Sequence, residues 1–326
     1  MITDVPGVLV GHHERLGDGW ASGTTVVLVP DGAVGAVDQR GGAPGTRETD
    51  LLVPENLVQR VNAVCLSGGS AYGLAAADGV MRWLAERNLG LPVGVEPHEV
   101  VPIVPAAVIF DLPRSDWGNR PDASFGYAAC EAASGRVVQG TVGAGAGAAV
   151  GSLKGGVGSA SEVVGEFTVG ALAVVNAAGE AVDLATGRAF AADQGDFDVR
   201  WPSRPGELPA RRTDLNTTIG VVAVDAALSK AEARRLAVAA QDGLARAVRP
   251  AHTMFDGDTV FALATGAREL PDASGPFGTA VRAGALDGLC SAAARVFARA
   301  MVHGLLSATT AGGVPAYRDV WPDAFS

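Results

Sequence analysis

The sequence predicts a mixed α and β fold, and three observations support this. Short runs rich in β-branched residues are separated by turns rich in glycine and proline, as expected for strands. Three longer segments carry helical periodicity or helix end signals. The chain has 326 residues, of which 48% are hydrophobic and 18% charged. That composition is enough to bury a large core as one domain or two closely packed ones.

Five apolar runs are predicted to form strands. Each is rich in valine, isoleucine or threonine and is bounded by turn residues. In chain order they are 24–29, 61–66, 100–110, 169–175 and 218–224.

Three further segments are predicted to form helices. The clearest follows Ser229, which makes a capping box with Glu232, and closes before Pro250. A second runs over residues 71–86. A third, over residues 286–306, has small or apolar residues on most sides. A helix of that kind is expected to be sandwiched between other elements rather than exposed.

Charge and cysteine content exclude two classes of protein. Lys+Arg of 25 against Asp+Glu of 35 gives 25 − 35 = −10, and no basic cluster stands out beyond Arg211 and Arg212. Nucleic acid is therefore not an expected partner. The cysteines Cys65, Cys130 and Cys290 lie far apart without a Cys-x-x-Cys motif. They indicate reduced thiols rather than a disulfide framework or a zinc site.

The sequence carries no signal for targeting, a membrane, a metal or a cofactor. The N-terminus lacks the basic start and apolar centre of a signal peptide, and no uninterrupted apolar stretch reaches the roughly 20 residues that span a bilayer. We therefore expect a cytoplasmic protein. The histidines lack metal-ligand spacing, and the glycine-rich stretches at 68–73 and 143–154 match neither a P-loop nor a dinucleotide motif.

A polar segment with little periodicity, residues 187–216, is the candidate boundary within the chain and is predicted to be an exposed loop. Thr217 follows Asn216 at its end and stands directly before an apolar run. At such a place a chain can cut itself to free an N-terminal nucleophile. The hydroxyl of Thr217 would then attack, and its new α-amine, with a reference pKa of roughly 7.7 to 8.0, would take the proton.

An acidic pair, Asp256 and Asp258, precedes another apolar run. In an extended chain, residues i and i+2 share a face about 6.5 to 7 Å apart. Two carboxylates that close perturb each other, so that one tends to hold a proton and the other to stay ionised. Such a pair suits the orientation of a threonine hydroxyl and its amine. The alternative is a hairpin turn with solvated acids.

Two further residues have a functional and a simpler interpretation. Lys154 ends a long stretch of glycine and alanine that holds no other charge. It is either a solvated loop residue or the positive partner of the acidic pair. Asn176 closes the apolar run 169–175 and is either an oxyanion donor at a strand end or a turn-forming asparagine.

Four ordered motifs resemble those of the self-processing L-aminopeptidase/D-esterase (DmpA-type) peptidase family. They lie at 2–8, 41–47, 66–74 and 216–219. The segment 256–258 and the glycine-rich stretch ending in Lys154 are most similar to the nylon-oligomer (6-aminohexanoate oligomer) endo-hydrolase branch of that family. The likeness covers nearly the whole chain.

The resemblance implies a four-layer α/β/β/α sandwich similar to the N-terminal-nucleophile hydrolases, with the topology of the L-aminopeptidase/D-esterases and ornithine acetyltransferases. It implies a single domain over 1–326, cut between Asn216 and Thr217 into an α chain (1–216) and a β chain (217–326) that stay together. It also implies a homotetramer of processed protomers with no cofactor.

The resemblance further implies roles for individual side chains. Thr217 would be the nucleophile, Asp256 and Asp258 its acidic network, and Lys154 the neighbouring cation. Asn176 would stabilise the oxyanion, and Tyr72 would line the substrate pocket.

The substrate prediction follows from positions at which this chain differs from the aminopeptidase members of that family. Its aminopeptidase members tend to have a serine nucleophile and a Ser-x-Glu pair, where this chain has Thr217 and Asp256-Gly257-Asp258. An amidase acting on linear ω-amino-acid oligomers or small peptides fits better. The alternatives are an aminopeptidase/D-esterase, an acyltransferase of the ornithine acetyltransferase type, and an unprocessed, non-catalytic binding protein.

Overall fold

The computed structural model describes residues 1–209, 215–271, 274–275 and 277–325. The strands in this part of the chain are β1 (Leu9–Gly17), β2 (Trp20–Gln39), β3 (Thr46–Arg47), β4 (Arg60–Ser67), β5 (Leu91–Pro92), β6 (Val100–Val101), β7 (Ala106–Val108), β8 (Ala149–Val150), β9 (Leu153–Lys154), β10 (Val157–Val164), β11 (Phe167–Val174), β12 (Ile219–Ala226) and β13 (Thr259–Arg268). The α-helices are α1 (Ala76–Ala85), α2 (Ala123–Glu131), α3 (Lys230–Ala247), α4 (Gly278–Ser307) and α5 (Tyr317–Val320). Short 3-10 helices cover Ile2–Asp4, Asp50–Leu52, Ser70–Ala75, Leu112–Arg114, Gly143–Gly145 and Pro322–Phe325.

Nine of these strands form one hydrogen-bonded sheet in the order β10-β11-β12-β13-β2-β4-β7-β3, with β1 also paired to β2. The pairing of β12 with β13 is parallel, whereas β13 is antiparallel to β2. Strand β2 therefore joins two halves of the sheet. Its pairing with β4 shifts register between Leu28 and Ala33, which interrupts the ladder midway along the strand.

Alternating side chains divide the interior into three apolar cores. The inner core holds side chains from both halves of the sheet, including Val27, Val64, Leu172, Val221 and Phe261. Because residues from opposite ends of the strand order share this core, the two halves face each other.

The outer faces of the two halves are covered by helices. Helices α1 and α2 pack on one half, where Val26 and Cys65 meet Val80. Helices α3 and α4 pack on the other half, where Val222 meets Phe297. The predicted α/β/β/α order of layers is therefore confirmed, and its two β layers are parts of one continuous sheet.

The predicted helices are confirmed with changes at their ends. The side chain of Ser229 accepts a hydrogen bond from the Glu232 N–H, and α3 follows it as predicted. The segment 71–86 is a 3-10 helix that continues into α1. Helix α4 is longer than the predicted 286–306 and is sandwiched, as expected. By length and composition α4 could cross a membrane, but 72% of its most apolar window is buried inside the protein.

Four of the five predicted strands are confirmed in β2, β4, β11 and β12. The fifth, over residues 100–110, is wrong, because only β6 and β7 form there. Pro102 and Pro105 stand between them, and proline has no N–H to donate to a ladder.

Residues 187–209 form no helix or regular strand, as predicted for the boundary segment, but they lie against the C-terminal part of the chain. The Tyr317 hydroxyl donates to the Gly187 carbonyl at 2.9 Å, and the Trp321 indole donates to the Arg204 carbonyl at 3.3 Å. Arg211 and Arg212 lie outside the described residues.

The contact of β10 with α4 predicts a glycine requirement at position 158. A Cβ at Gly158 would lie 1.9 Å from the Ala300 carbonyl oxygen and 2.2 Å from the Gly304 nitrogen. Gly158→Ala is expected to lower the free energy of unfolding by about 1–3 kcal/mol, as overpacking does. Urea unfolding followed by circular dichroism measures this.

The matched control is Gly288→Ala in α4, the helix against which Gly158 packs; a Cβ at Gly288 would meet only Val164 Cγ1 at 3.6 Å. It should leave stability unchanged or raise it by up to about 1 kcal/mol through helix propensity. Equal stability of the two variants would contradict the packing described.

Candidate active site

The hydroxyl of Thr217 lies against the peptide bond that precedes it. Its Oγ donates a hydrogen bond to the carbonyl oxygen of Asn216 at 2.5 Å. Its main-chain N–H donates to the carbonyl oxygen of Asn176 at 2.8 Å. Thr217 is only 4% exposed. The hydroxyl is therefore held beside the one carbonyl that self-cleavage would require it to attack.

The strand pairing explains this position. Parallel pairing puts Ile219 of β12 opposite Thr259 of β13, and an isolated parallel bridge joins Asn216 to Asp256 just before these strands. The Asn216 N–H donates to the Phe255 carbonyl at 2.9 Å, and the Gly257 N–H donates to the Asn216 carbonyl at 3.1 Å. The predicted acidic segment and the predicted cleavage site therefore meet.

The carboxylate of Asp256 accepts hydrogen bonds from residues on one side of the site. Its Oδ1 accepts a hydrogen bond from the Ala178 N–H at 2.9 Å. Its Oδ2 accepts from the N–H of Thr253 at 2.9 Å and from the hydroxyl of that residue at 2.5 Å. Asp256 is 1% exposed, so the alternative of a hairpin turn with solvated acids is wrong for this carboxylate.

Asp258 binds the chain on the other side and is also buried. Its Oδ1 accepts from the Thr218 N–H at 2.8 Å, and its Oδ2 lies 2.8 Å from His252 Nδ1. Burial raises the pKa of Asp258; the charge of Asp256 adds to this, and the His252 hydrogen bond opposes it. The expected electrostatic effect of one acid on the other is therefore present at Asp258.

One expectation about the acidic pair needs correction. In the described part of the chain, neither carboxylate hydrogen-bonds to the hydroxyl or the amide nitrogen of Thr217. Asp258 instead holds the Thr218 N–H, and Asp256 holds the Ala178 N–H. The pair positions the segments on either side of the nucleophile rather than the nucleophile itself.

Asn176 is oriented beside Thr217, just beyond the end of β11. Its Oδ1 accepts from the Ala149 N–H at 2.9 Å, which fixes the side-chain amide. Its Nδ2 is buried and has no hydrogen-bond partner among the described residues. A buried donor without a partner is costly, so such an atom calls for an explanation. The carbonyl of the same residue binds the Thr217 N–H, and the oxyanion role of the side chain stays a prediction.

Lys154 is buried at the end of β9, so the solvated-loop alternative is wrong. Its Nζ donates to the carbonyl oxygens of Gly145 at 2.7 Å and Gly155 at 2.9 Å. Burial lowers the pKa of Lys154 to about 7, and the charge of Asp111 opposes that shift. The carboxylate that acts on Lys154 is thus Asp111, which corrects the expectation that Lys154 pairs with Asp256 and Asp258.

Sequence reasoning missed Asp111. It is buried, its Oδ1 accepts from the Gly69 N–H at 2.6 Å, and its Oδ2 accepts from the Ser22 hydroxyl at 2.7 Å. Burial raises its pKa to about 6, although these hydrogen bonds and the charge of Lys154 oppose the shift. The available signal was an acidic residue directly after the apolar run 100–110.

His252 was also missed, because the histidines were assessed only for metal spacing. His252 and Ser70 both have left-handed backbone, with φ of 56° and 52°. Such angles are uncommon outside glycine and cluster at functional sites. His252 contacts Asp258, and Ser70 lines the cavity at Thr217.

A cavity of about 160 Å³ borders Thr217. Its walls are mostly apolar and come from two of the predicted motifs, from residues 108–110 and from the cleavage site: Ala43, Pro44, Gly45, Ser70, Ala71, Val108, Ile109, Phe110, Leu215, Asn216 and Thr217. A larger cavity of about 950 Å³ lies between residues 200–207 and 315–324 and includes none of the predicted site residues. We place the site at the smaller cavity because it reaches the hydroxyl.

Tyr72 lies outside the cavity that it was expected to line. It is 51% exposed, and the Arg120 guanidinium lies 3.8 Å from the centre of its ring. Its neighbours Ser70 and Ala71 are the residues that reach the cavity. The predicted loop is therefore at the site, but the chosen residue is not.

Solved structures share this fold at low sequence identity. The L-aminopeptidase D-Ala-esterase/amidase of Ochrobactrum anthropi, described as a variant of the Ntn-hydrolase fold, matches with a TM-score of 0.73 and 23% identity over 96% of this chain and 88% of that chain. A Burkholderia β-aminopeptidase matches with a TM-score of 0.71 and 23% identity over 97% and 90%. The chain thus has the fold of the Ntn-hydrolase aminopeptidases.

Sequence comparison gives the family. The chain belongs to Peptidase family S58, whose profile matches residues 1–318. A protein named an uncharacterized aminopeptidase from Mycobacterium tuberculosis is 56% identical over 99% of this chain and 98% of its own. A 6-aminohexanoate-oligomer endohydrolase from Paenarthrobacter ureafaciens is 32% identical over 83% and 77%. The protein is therefore a hydrolase acting on amide bonds, and the suspected family resemblance is confirmed.

Lys154 predicts a pH dependence of stability. Its pKa is about 7 in the folded protein against a usual value of 10.5, so between these values the folded state binds fewer protons than the unfolded state. The free energy of unfolding contributed by Lys154 should rise with pH in this window, by up to about 1.4 kcal/mol per pH unit. Urea unfolding at pH 7, 8 and 9 measures the slope.

The comparison is with Lys154→Met, and both proteins carry Thr217→Ala so that any cleavage affects neither. Buried thiols such as Cys65, whose pKa burial raises to about 12, titrate in both proteins and cancel in the difference. Equal slopes in the two proteins would contradict a lowered pKa at Lys154.

Proposed function

We propose that this protein is an amide hydrolase that activates itself by cutting between Asn216 and Thr217. The observation that carries the proposal is the hydroxyl of Thr217, which is buried and hydrogen-bonded to the carbonyl oxygen of Asn216 at 2.5 Å. Membership of a family of amide-bond hydrolases supports it. No metal is needed for this chemistry, since a hydroxyl and the α-amine of the same residue suffice.

Self-cleavage would begin with attack by Thr217 Oγ on the carbonyl carbon of Asn216. An N-to-O acyl shift gives an ester, and water then releases Thr217 with a free α-amine. The carbonyl oxygen of Asn176 already accepts the Thr217 N–H at 2.8 Å, so the amine would be formed in place. The hydrogen bonds of Asp256 and Asp258 keep the adjoining segments from moving during the reaction.

Turnover would use the same hydroxyl on an external amide. The α-amine of Thr217 takes its proton, an acyl-enzyme forms, and water resolves it. The unpaired Nδ2 of Asn176 is the donor for the tetrahedral oxyanion. Lys154, with a pKa of about 7, can gain or lose a proton near neutral pH and acts on the electrostatics of the site.

We further propose linear ω-amino-acid oligomers or small peptides as the substrates. The cavity beside Thr217 is small and mostly apolar, and no charged side chain of the described residues lines it. Such a cavity suits an uncharged, unbranched acyl segment. The second candidate is an aminopeptidase, which the name of the relative at 56% identity favours. No observation favours an acyltransferase.

The assembly and location are also proposals. The chains 1–216 and 217–326 should stay together after cleavage, because β12 lies hydrogen-bonded between β11 and β13 and all three contribute to the inner core. We propose a homotetramer, as the family resemblance implies, and a cytoplasmic location, as the sequence analysis predicts.

Replacing the nucleophile tests the proposal directly. Thr217→Ala should leave the chain at its full mass and abolish amide hydrolysis, because one hydroxyl serves both reactions. Intact mass spectrometry and an amide-release assay measure the two effects. Thr265→Val is the matched control, since it removes a different buried threonine hydroxyl, one that has no hydrogen-bond partner among the described residues. A Thr217→Ala protein that is cut or active would refute the proposal.

Blocking the amine of a substrate separates the two candidate functions. We expect kcat/KM for a 6-aminohexanoate oligomer to change by less than about tenfold on N-acetylation, since the cavity offers no charged partner for an ammonium. An aminopeptidase would lose a hydrogen bond to a charged group, which contributes about 1.5–3 kcal/mol. A loss beyond about tenfold would assign the aminopeptidase activity instead.

A further inference from the structure

The scissile carbonyl and the side-chain donor of Asn176 are not hydrogen-bonded to each other. The carbonyl oxygen of Asn216 accepts hydrogen bonds from Thr217 Oγ at 2.5 Å and from the Gly257 N–H at 3.1 Å. Asn176 Nδ2 is buried and has no acceptor within the described part of the chain. A donor arranged in advance for self-cleavage should already face the oxygen that becomes negative. Gly257 meets that requirement, and Asn176 does not.

We propose that the two reactions of this protein use different oxyanion donors. The main-chain N–H of Gly257 stabilises the oxyanion of self-cleavage, and Nδ2 of Asn176 stabilises the oxyanion of substrate hydrolysis. This inference rests on the proposed function and adds to it a catalytic group, the Gly257 N–H, together with a division between the two steps.

During self-cleavage, the negative charge develops on the Asn216 oxygen, beside the Gly257 N–H. A bond forms between Thr217 Oγ and the carbonyl carbon of Asn216, and the negative charge develops on the oxygen that Gly257 already binds. Collapse breaks the C–N bond, and the hydroxyl proton ends on the new amine of Thr217. Water then hydrolyses the ester, which gives the Asn216 carboxylate and restores the hydroxyl.

The product of this step keeps Gly257 occupied. The segment 255–257 binds Asn216 through both main-chain groups, since the Phe255 carbonyl accepts its N–H at 2.9 Å and the Gly257 N–H donates to its oxygen. Cleavage of the bond to Thr217 breaks neither hydrogen bond, so the new carboxylate retains the Gly257 donor. A substrate carbonyl then needs another donor, and Asn176 supplies an unpaired one.

Close packing fixes the Gly257 N–H in place. A Cβ at this position would lie 2.3 Å from the Ala43 carbonyl oxygen and 2.8 Å from Pro44 Cα. The Ala43 N–H in turn donates to the Asp256 carbonyl at 2.9 Å. The glycine is therefore required by the approach of the 41–45 segment, and that approach leaves the amide little freedom to turn away from Asn216.

The first test uses variants of Asn176 to separate self-cleavage from substrate hydrolysis. Asn176→Asp keeps an acceptor for the Ala149 N–H but removes the amide donor. We expect its self-cleavage rate to stay within about threefold of wild type while kcat for amide hydrolysis falls by roughly 10² to 10³, the usual effect of losing one oxyanion donor. Asn176→Ala, which also lacks the amide donor, should have the same effects on self-cleavage and on kcat. Self-cleavage also reports that each variant has folded.

The second test removes the Gly257 N–H alone. Cell-free translation with glycolic acid at position 257 replaces this amide by an ester. Self-cleavage, followed by intact mass over time, should slow by roughly 10² to 10³, while kcat of the molecules that have been cut should stay within about threefold of wild type. The control is the same exchange at Gly135, where a Cβ would meet nothing within 4 Å.

The outcomes distinguish this inference from the proposed function. If Asn176→Asp slows both reactions equally, the two reactions share that donor. If the ester at 257 leaves self-cleavage unchanged, the Gly257 N–H does not stabilise its oxyanion. Either result contradicts the division. If wild type stays uncut, or Thr217→Ala is cut, the self-processing proposal itself fails.

Discussion

The parallel pairing of β12 with β13 is the constraint on which the site depends. It places Asn216 opposite Asp256, so the bond before Thr217 meets the 255–258 segment at the start of two neighbouring strands. Every residue of β12 is buried. Since water cannot reach main-chain groups there, each must find a protein partner, and the hydrogen bonds around Thr217 are the result.

Burial also sets the electrostatics. Burial lowers the pKa of Lys154 and raises the pKa of Asp111 and of Asp258, because the low-dielectric interior disfavours the charged form of each group. The pKa values of Lys154 and Asp111 are about 7 and about 6, and the charge of each residue opposes the effect of burial on the other. Groups with such values exchange protons readily near neutral pH, which is what acid–base catalysis requires.

Local signals in the sequence predicted the parts of the fold that local physics controls. The Ser229 capping box and the β-branched runs of β4, β11 and β12 need only near neighbours to be recognised. The length of β2 and the division of residues 100–110 depend on pairing with distant strands and on two prolines. Such pairings have no local signature, so the sequence could not supply them, whereas Pro102 and Pro105 are visible in the sequence and predict the division of residues 100–110.

The site shows the same difference. Thr217, Asn176 and the acidic pair stand at strand ends, and the family resemblance gave them roles. Asp111 and Gly257 act through contacts with residues far along the chain, and His252 through Asp258, six residues further on. Gly257 stands within the 256–258 segment, but the role of a main-chain N–H leaves no side-chain pattern in the sequence. The partner of Lys154 was mistaken for the same reason, since only folding brings Asp111 near it.

The measurement that tests the central claim most directly is the N-terminal sequence of the smaller fragment in purified wild-type protein. The account predicts a free α-amine on Thr217, followed by Thr218 and Ile219, with the companion fragment ending at Asn216. A single intact chain after prolonged incubation, or a fragment that begins at any other residue, would contradict it.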